Sequence, residues 1–277
     1  MPAGTIRRHP FVTSAAASVT VTILIYHAAH QHLVRALLYL AAVGAGAAAA
    51  EYVFRKRACS SAPMAVRNAG MELLVLVGCF AAALWWLSER FTRQYQPSPG
   101  LGRLVWLTIL IGCVFNALPA IVLLSRGYGL KELGVHRTGI AAVPLVLVIF
   151  AAAAALSPVP VVTLSQALQE SGGSIVGLIG MALAAAVPEE FFRFAWQTRV
   201  GAFLHNRAAG WFVASVAWAI LHAPKDWDQT HSMAAAAMSV INIIPLGLLW
   251  GYLIHRTRSM MPSILLHATN VWGLQNL

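Results

Sequence analysis

Long uninterrupted apolar runs recur along the whole sequence, and they limit the folds open to this chain more than any other feature. A helix needs about 20 apolar residues in a row to cross a bilayer. Runs near this length cover 10–27, 36–53, 71–88, 104–125, 139–163, 174–198, 209–224, 234–254 and 260–277. Only helices and closed barrels satisfy the backbone in lipid, and these runs are too long and continuous for barrel strands.

Charged residues are scarce between and within these runs. The 277 residues are 59% hydrophobic and 10% charged, with a mean hydropathy of +0.71, whereas soluble domains carry about 25% charged residues. We therefore predict an all-α fold, a polytopic transmembrane helix bundle of about eight to nine spans in a lipid bilayer.

The net charge of +10 follows the predicted topology. With the N-terminus in the cytoplasm, thirteen Lys and Arg residues, Arg199 among them, fall in cytoplasmic segments, five fall outside and Arg193 lies within a span. Because basic residues accumulate in cytoplasmic loops, this distribution predicts a multi-pass protein of the cell membrane with a cytoplasmic N-terminus. It also argues against nucleic acid as a partner.

The acidic residues divide the chain into two parts. Glu51 and Glu72 lie in the predicted spans of the first half, at span ends where we expect water nearby. The polar stretch "RGYGLKELGVHRTG" (126–139) separates this half from a second half that contains Glu189 and Glu190 inside a predicted span. We therefore predict N-terminal transmembrane helices of unknown role over 1–125 and a catalytic core over 126–277.

The stretch "AAAVPEEFFRFAW" places Glu189, Glu190 and Arg193 in a run with no other charge from Gly172 onward. A charge at the bilayer centre costs about 2.5–3.5 kcal/mol on insertion scales, so these residues need partners or water. Arg193 follows the glutamates by four and three residues and can reach either along one helix face. We expect a structural ion pair between Arg193 and one acid, which leaves the other free as a general base.

Two later runs add histidines and an amide. "WAILH" ends in His222, and "HATN" contains His267 with Asn270 three residues later. Counted at 1.5 Å per residue, Glu189 and His222 are expected to meet near the middle of the membrane, with His267 closer to the cytoplasm. Together these residues point to a functional site built from three helices.

The three motifs resemble those of the CPBP (Abi) family of intramembrane proteases, which includes the CAAX prenyl endopeptidases. That family carries Glu-Glu-x-x-x-Arg, Phe-x-x-x-His and His-x-x-x-Asn/Asp in this order, and here "EEFFR", "WAILH" and "HATN" occur over roughly 126–277. Trp218 stands where phenylalanine is usual, and Asn270 follows His267 by three residues instead of four. The arginine comes one residue early, so the base stays open between Glu189 and Glu190.

The resemblance implies an intramembrane endopeptidase without a cofactor. One glutamate and His222 would activate a water, while His267 and Asn270 would stabilise the oxyanion as hydrogen-bond donors. The substrate would be a membrane-anchored or C-terminally processed protein, with a prenylated C-terminus, a sorting signal or a leader peptide. Two histidines and a glutamate could also bind zinc, but the H-E-x-x-H spacing is absent, so we predict no metal.

Two other classes of function fit buried ionisable residues. One is a non-catalytic membrane protein of the same fold, acting in immunity or as a scaffold. The other is a transporter, since such residues also mark ion pathways. Transporters often contain inverted repeats, and the sequence shows no internal repeat. Hydrolysis of a candidate peptide by the purified protein separates the protease from both alternatives.

Overall fold

The computed structural model of the protein describes residues 10–57, 66–94, 117–157, 165, 168–169 and 173–271. Within these residues the secondary structure is helical with no strand, which confirms the all-α prediction. The helices, in chain order, are α1 (Pro10–Ala29), α2 (Leu33–Lys56), α3 (Ala69–Gln94), α4 (Val143–Ala155), α5 (Ile175–Phe203), α6 (Arg207–Ile220), α7 (Ala223–Thr230), α8 (Met233–Thr257) and α9 (Met261–Val271). A further helical stretch covers 117–125.

Five of the described helices are long and apolar enough to cross a membrane: α1, α2, the first part of α3, α5 and α8. This finding agrees with the predicted multi-pass bundle. The other predicted spans differ in length from expectation. Helices α4, α6 and α9 have 13, 14 and 11 residues, fewer than a perpendicular crossing needs. Most of the predicted span 104–125, like residues 272–277, lies outside the described residues.

Helix α5 lies at the centre of the second half and packs on α3, α6 and α9, while α8 packs on α2, α6 and α9. Glycine permits the closest of these contacts. A Cβ atom at Gly210 of α6 would lie 2.4 Å from the carbonyl oxygen of Gln197 in α5. Small residues let helix backbones approach in this way, and the contact brings α6 against the site on α5.

The ends of the helices around the site are set by local hydrogen bonds. Helix α6 begins at Arg207 because the Asn206 side chain accepts hydrogen bonds from the amides of Ala208 and Ala209, each at 3.1 Å, as a helix N-cap does. Helix α8 ends at Arg258, which adopts the left-handed conformation (φ +60°) that terminates many helices.

One sequence-based expectation is wrong. Glu72, expected near water, is 1% exposed, and its carboxylate accepts hydrogen bonds from Arg199 of α5 and from Tyr128, both at 2.9 Å. Arg199 is itself fully buried, and its predicted cytoplasmic side stays a prediction. Both residues can be buried because each charge supplies the partner that the other needs in apolar surroundings.

Candidate active site

The adjacent glutamates of α5 have different environments. Glu190 is fully buried, and Arg193, one turn later and also fully buried, binds both of its carboxylate oxygens. The Arg193 Nε atom lies 3.0 Å from Oε2, and Nη2 lies 3.1 Å from Oε1. Glu189, whose side chain is 31% exposed, has no arginine or lysine partner within the described residues. The predicted ion pair therefore forms with Glu190.

Two tryptophans and a glycine hold the Arg193 guanidinium in place. Its central carbon lies 4.2 Å from the ring centre of Trp218 and 5.5 Å from that of Trp250, distances at which a cation is attracted to an aromatic face. The Nη1 atom donates to the carbonyl oxygen of Gly247 at 3.3 Å. A Cβ atom at Gly247 would lie 2.9 Å from the Trp218 ring, so glycine is needed for this approach.

Trp218 also contacts Glu189. Its Nε1–H group donates to Oε2 of Glu189 at 2.5 Å, and the tryptophan is 3% exposed. One side chain therefore packs on the buried cation and orients the partly exposed carboxylate. Sequence reasoning treated Trp218 as a mild departure from phenylalanine and missed this contact; its position one turn before His222 was the available signal.

His267 of α9 joins the two glutamates. Its Nδ1 atom lies 2.9 Å from Oε1 of Glu190, and its Nε2 atom lies 3.6 Å from Oε2 of Glu189. The ring stacks on Trp250 with centroids 4.2 Å apart and an interplanar angle of 19°. Because a carboxylate only accepts hydrogen bonds, Nδ1 carries the proton toward Glu190, and Nε2 is directed toward Glu189.

His222 lies at the end of α6, next to Trp218 instead of next to a glutamate. The two ring centroids are 4.8 Å apart, and Nδ1 of His222 donates to the carbonyl oxygen of Trp218 at 3.2 Å. No hydrogen bond joins His222 to Glu189 or Glu190 in the described part of the chain. This arrangement differs from the sequence-based expectation that Glu189 and His222 meet. His267 contacts both acids, whereas the indole of Trp218 separates His222 from them.

Asn270 follows His267 by one turn of α9. Its Oδ1 atom is buried and has no hydrogen-bond partner, and a buried polar atom without a partner is uncommon and needs an explanation. The Asn270 side chain does not contact the glutamates. Its Oδ1 atom therefore has unused capacity to accept a hydrogen bond inside the protein.

The donor atoms available to a metal are few. Glu189 and His267 face each other as two donors, whereas catalytic zinc sites use three protein ligands. In the ranges that the structure describes, no group of three or more His, Cys, Asp and Glu side chains is arranged to hold a metal ion.

Comparison with known proteins identifies a family for the second half of the chain. Residues 171–273 match the family model described as Type II CAAX prenyl endopeptidase Rce1-like. The matched segment contains all of the residues predicted for the site. No curated protein and no solved structure matches the chain.

The family match supports the resemblance drawn from the three sequence motifs. It also supports protease activity, that is hydrolysis of peptide bonds, in general terms. Residues 171–273, which carry the paired glutamates, both histidines and Asn270, therefore form an Rce1-like domain of the CPBP and CAAX prenyl endopeptidase family.

Proposed function

We propose that this protein is an intramembrane endopeptidase of the glutamate type, in which Glu189 is the general base. One observation supports this choice over Glu190. Glu189 is 31% exposed and has no arginine or lysine partner among the described residues, whereas Glu190 is fully buried and bound by Arg193. A base must reach the proton that it removes, and a carboxylate already held by a bidentate guanidinium is a poor candidate.

The proposed reaction begins with water. Glu189 takes one proton from the water as its oxygen attacks the scissile carbonyl carbon, which gives a tetrahedral oxyanion. The protonated Glu189 then gives that proton to the departing amide nitrogen, and the carbon–nitrogen bond breaks. The products are a new carboxyl terminus and a new amine, and the enzyme returns to its starting state.

The other site residues are assigned supporting roles. Glu190 and Arg193 hold the Nδ1 side of His267, so that its Nε2 atom stays beside Glu189. The amide N–H₂ group of Asn270 is assigned to the oxyanion on the resemblance of the third motif alone, because donors placed where charge develops lower the barrier most. His222, with Nδ1 bound to a backbone carbonyl, presents Nε2 as a second group able to accept a proton from water.

The proposed substrate is a membrane-anchored protein cleaved near its C-terminus. Membership of the Rce1-like family favours a prenylated C-terminal peptide, and a sorting signal or a leader peptide is the alternative carried over from the sequence. The cytoplasmic orientation of the N-terminus, and hence the side of the membrane on which cleavage occurs, stays a prediction.

The test has two stages. Comparison of the C-termini of membrane proteins from cells with and without this protein identifies species that stay uncut. A peptide from such a species is then incubated with the purified full-length protein and with Glu189→Gln. We expect cleavage by the natural protein and none by Glu189→Gln. Cleavage at the same rate by both proteins would refute the assignment of the base, and cleavage by neither would favour a non-catalytic protein.

Metal-assisted activation of water is the competing scheme, and a chelator distinguishes the two. We expect cleavage by the purified protein to be unchanged after treatment with phenanthroline, once its effect on the detergent has been controlled. Loss of activity that returns on addition of one zinc ion per chain would show that a metal, and not the carboxylate alone, activates the water.

A further inference from the structure

A second polar cavity lies at the C-terminal ends of α5 and α8, separate from the glutamate site. Its volume is about 170 Å³. It lies between the last two turns of α5, the start of α6 and the end of α8. The side chains that matter here are Gln197, Arg207, His255 and Arg258. Because α5 and α8 are both long enough to cross a membrane, the cavity is at one end of two spans, where lipid headgroups would lie.

Two arginines of this cavity have no acidic partner in the described part of the chain. Arg207 donates from Nη2 to the carbonyl oxygen of His255 at 3.0 Å, and the Nε atom of Arg258 is buried with no hydrogen-bond partner. The neighbouring Arg256, by contrast, is neutralised by Glu51 at 2.7 Å. Positive charge is therefore concentrated around the cavity, and no acidic side chain of the described residues compensates it.

The electrostatics of the two arginines agree with this geometry. Burial, together with the nearby Arg207, lowers the pKa of Arg258 to about 10. Burial, together with Arg256, also lowers the pKa of Arg207. Such lowered pKa values mean that the surroundings disfavour the charged form of each arginine. A bound anion would relieve the repulsion between the positive charges.

Gln197, one of the residues that line the cavity, has an unpartnered hydrogen-bond acceptor. The amide nitrogen of Gln197 donates to the carbonyl oxygen of Gly251 at 3.1 Å, which leaves Oε1 as the free atom of this side chain. That oxygen is buried and has no partner. An acceptor beside two guanidinium groups suits a ligand that carries a hydroxyl group as well as anionic oxygens.

We propose that this cavity binds the phosphate group of an anionic lipid headgroup, with phosphoglycerol as the chemistry that matches it best. Guanidinium forks recognise phosphate oxygens, and a glycerol hydroxyl can donate to Gln197. The volume is below the roughly 300–1,000 Å³ of pockets that enclose whole small molecules, so it fits a headgroup and not a peptide segment. The proposal is independent of the protease assignment.

The test uses the purified full-length protein in detergent and three variants. Arg207→Gln and Arg258→Gln each remove one cavity charge. Arg57→Gln is the matched control, because Arg57 is exposed and directly follows α2 at the end where Glu51 binds Arg256. Thermal unfolding and native mass spectrometry are recorded with phosphatidylglycerol, with phosphatidylcholine and with inorganic phosphate. Since each protein is compared with itself without ligand, altered basal stability does not affect the result.

We expect phosphatidylglycerol, and not phosphatidylcholine, to stabilise the natural protein and Arg57→Gln, as a ligand specific for the folded state does. Each cavity variant should lower the affinity at least about fivefold, from the contribution of one basic residue near an anionic surface. Stabilisation by inorganic phosphate that the cavity variants lose would support the phosphate site but point to a free ion as its source. Equal lipid binding by Arg57→Gln and both cavity variants would overturn the proposal, as would equal stabilisation of the natural protein by phosphatidylglycerol and phosphatidylcholine.

Discussion

Helix α5 carries two buried carboxylate–guanidinium pairs that differ in construction. Arg193 binds Glu190 within the same helix, three residues away, and the partly exposed Glu189 is next to it. Arg199, six residues later, binds Glu72 of α3 at 2.9 Å. In both pairs the acid and the base are fully or almost fully buried. The two pairs therefore share their chemistry and burial, but one belongs to a candidate site and the other to the scaffold.

Both oxygens of Glu72 in the Glu72–Arg199 pair have donors, although Nη2 of Arg199 is buried without a partner in the described part of the chain. The Glu72 carboxylate accepts hydrogen bonds from Arg199, from the Tyr128 hydroxyl and from the Asn68 amide. Burial raises the pKa of Tyr128, so its hydroxyl stays protonated and remains a donor. No second carboxylate is next to this pair in sequence. A pair whose carboxylate oxygens are all occupied joins α3 to α5, whereas Glu190 and Arg193 support a neighbouring carboxylate that is partly exposed.

The largest difference is expected for the glutamates themselves. Glu189→Gln should lower the rate of cleavage by about 10²–10⁴-fold, the usual contribution of a general base, with little change in thermal stability because Glu189 is partly exposed. Glu72→Gln should leave the rate per folded molecule near its natural value while lowering stability. Cleavage assays normalised to folded protein, together with thermal unfolding, measure both. If Glu189→Gln cleaved substrate as fast as the natural protein, the two pairs would no longer differ in function.

Breaking either pair from the arginine side should destabilise the protein by about 3–5 kcal/mol, because an uncompensated carboxylate remains buried. Arg193→Met should abolish cleavage as well, whereas Arg199→Met should retain it in the fraction that folds. Thermal unfolding and cleavage by the folded fraction give the two readings. A stable but inactive Arg193→Met would instead indicate that the arginine acts directly in the reaction.

Replacing both members of each ion pair tests the same difference between the two pairs. Apolar side chains of similar volume often restore the stability lost when one member of a buried pair is removed. We expect Glu72→Met combined with Arg199→Met to recover most of the stability of Arg199→Met and to cleave substrate. Glu190→Met combined with Arg193→Met should stay inactive, because His267 loses its Nδ1 partner. Cleavage by this second double variant would show that Glu190 is dispensable.

A smaller effect is expected at the glycine that lets α8 approach Arg193. Gly247→Ala places a methyl group within 2.9 Å of the Trp218 ring, and overpacking of this kind typically costs about 1–3 kcal/mol. Gly78→Ala is the matched control, since no atom lies within 4 Å of the added methyl group. Thermal unfolding of both variants gives the difference. Equal stability would mean that the indole can shift without cost.

The smallest effect is expected for Trp218→Phe. The phenyl ring keeps an aromatic face for Arg193 but removes the Nε1–H donor to Glu189. We expect a loss of about tenfold in kcat/KM, near the lower end of what a hydrogen bond to a charged group contributes, with a nearly natural melting temperature. A loss as large as that of Glu189→Gln would make the tryptophan essential for placing the base.

The sequence by itself determined the class of fold and the segment that carries the candidate site. The apolar runs require helices, because lipid offers the backbone no other partner. The spacing of Glu189, Glu190 and Arg193 places Arg193 within reach of either glutamate along the helix. These are local properties that one chain segment determines alone. The family match at residues 171–273 agrees with the assignment drawn from the motifs.

Only the tertiary structure decided which glutamate Arg193 binds and which histidine lies between the two acids. The choice depends on α8 and α9, because Gly247 admits the Trp218 ring and the Arg193 guanidinium, while Trp250 holds the His267 ring by stacking. The pairing of Glu72 with Arg199 likewise depends on the contact of α3 with α5, across 127 residues of sequence. Spacing along one helix carries no information about such contacts, since they arise from packing between helices.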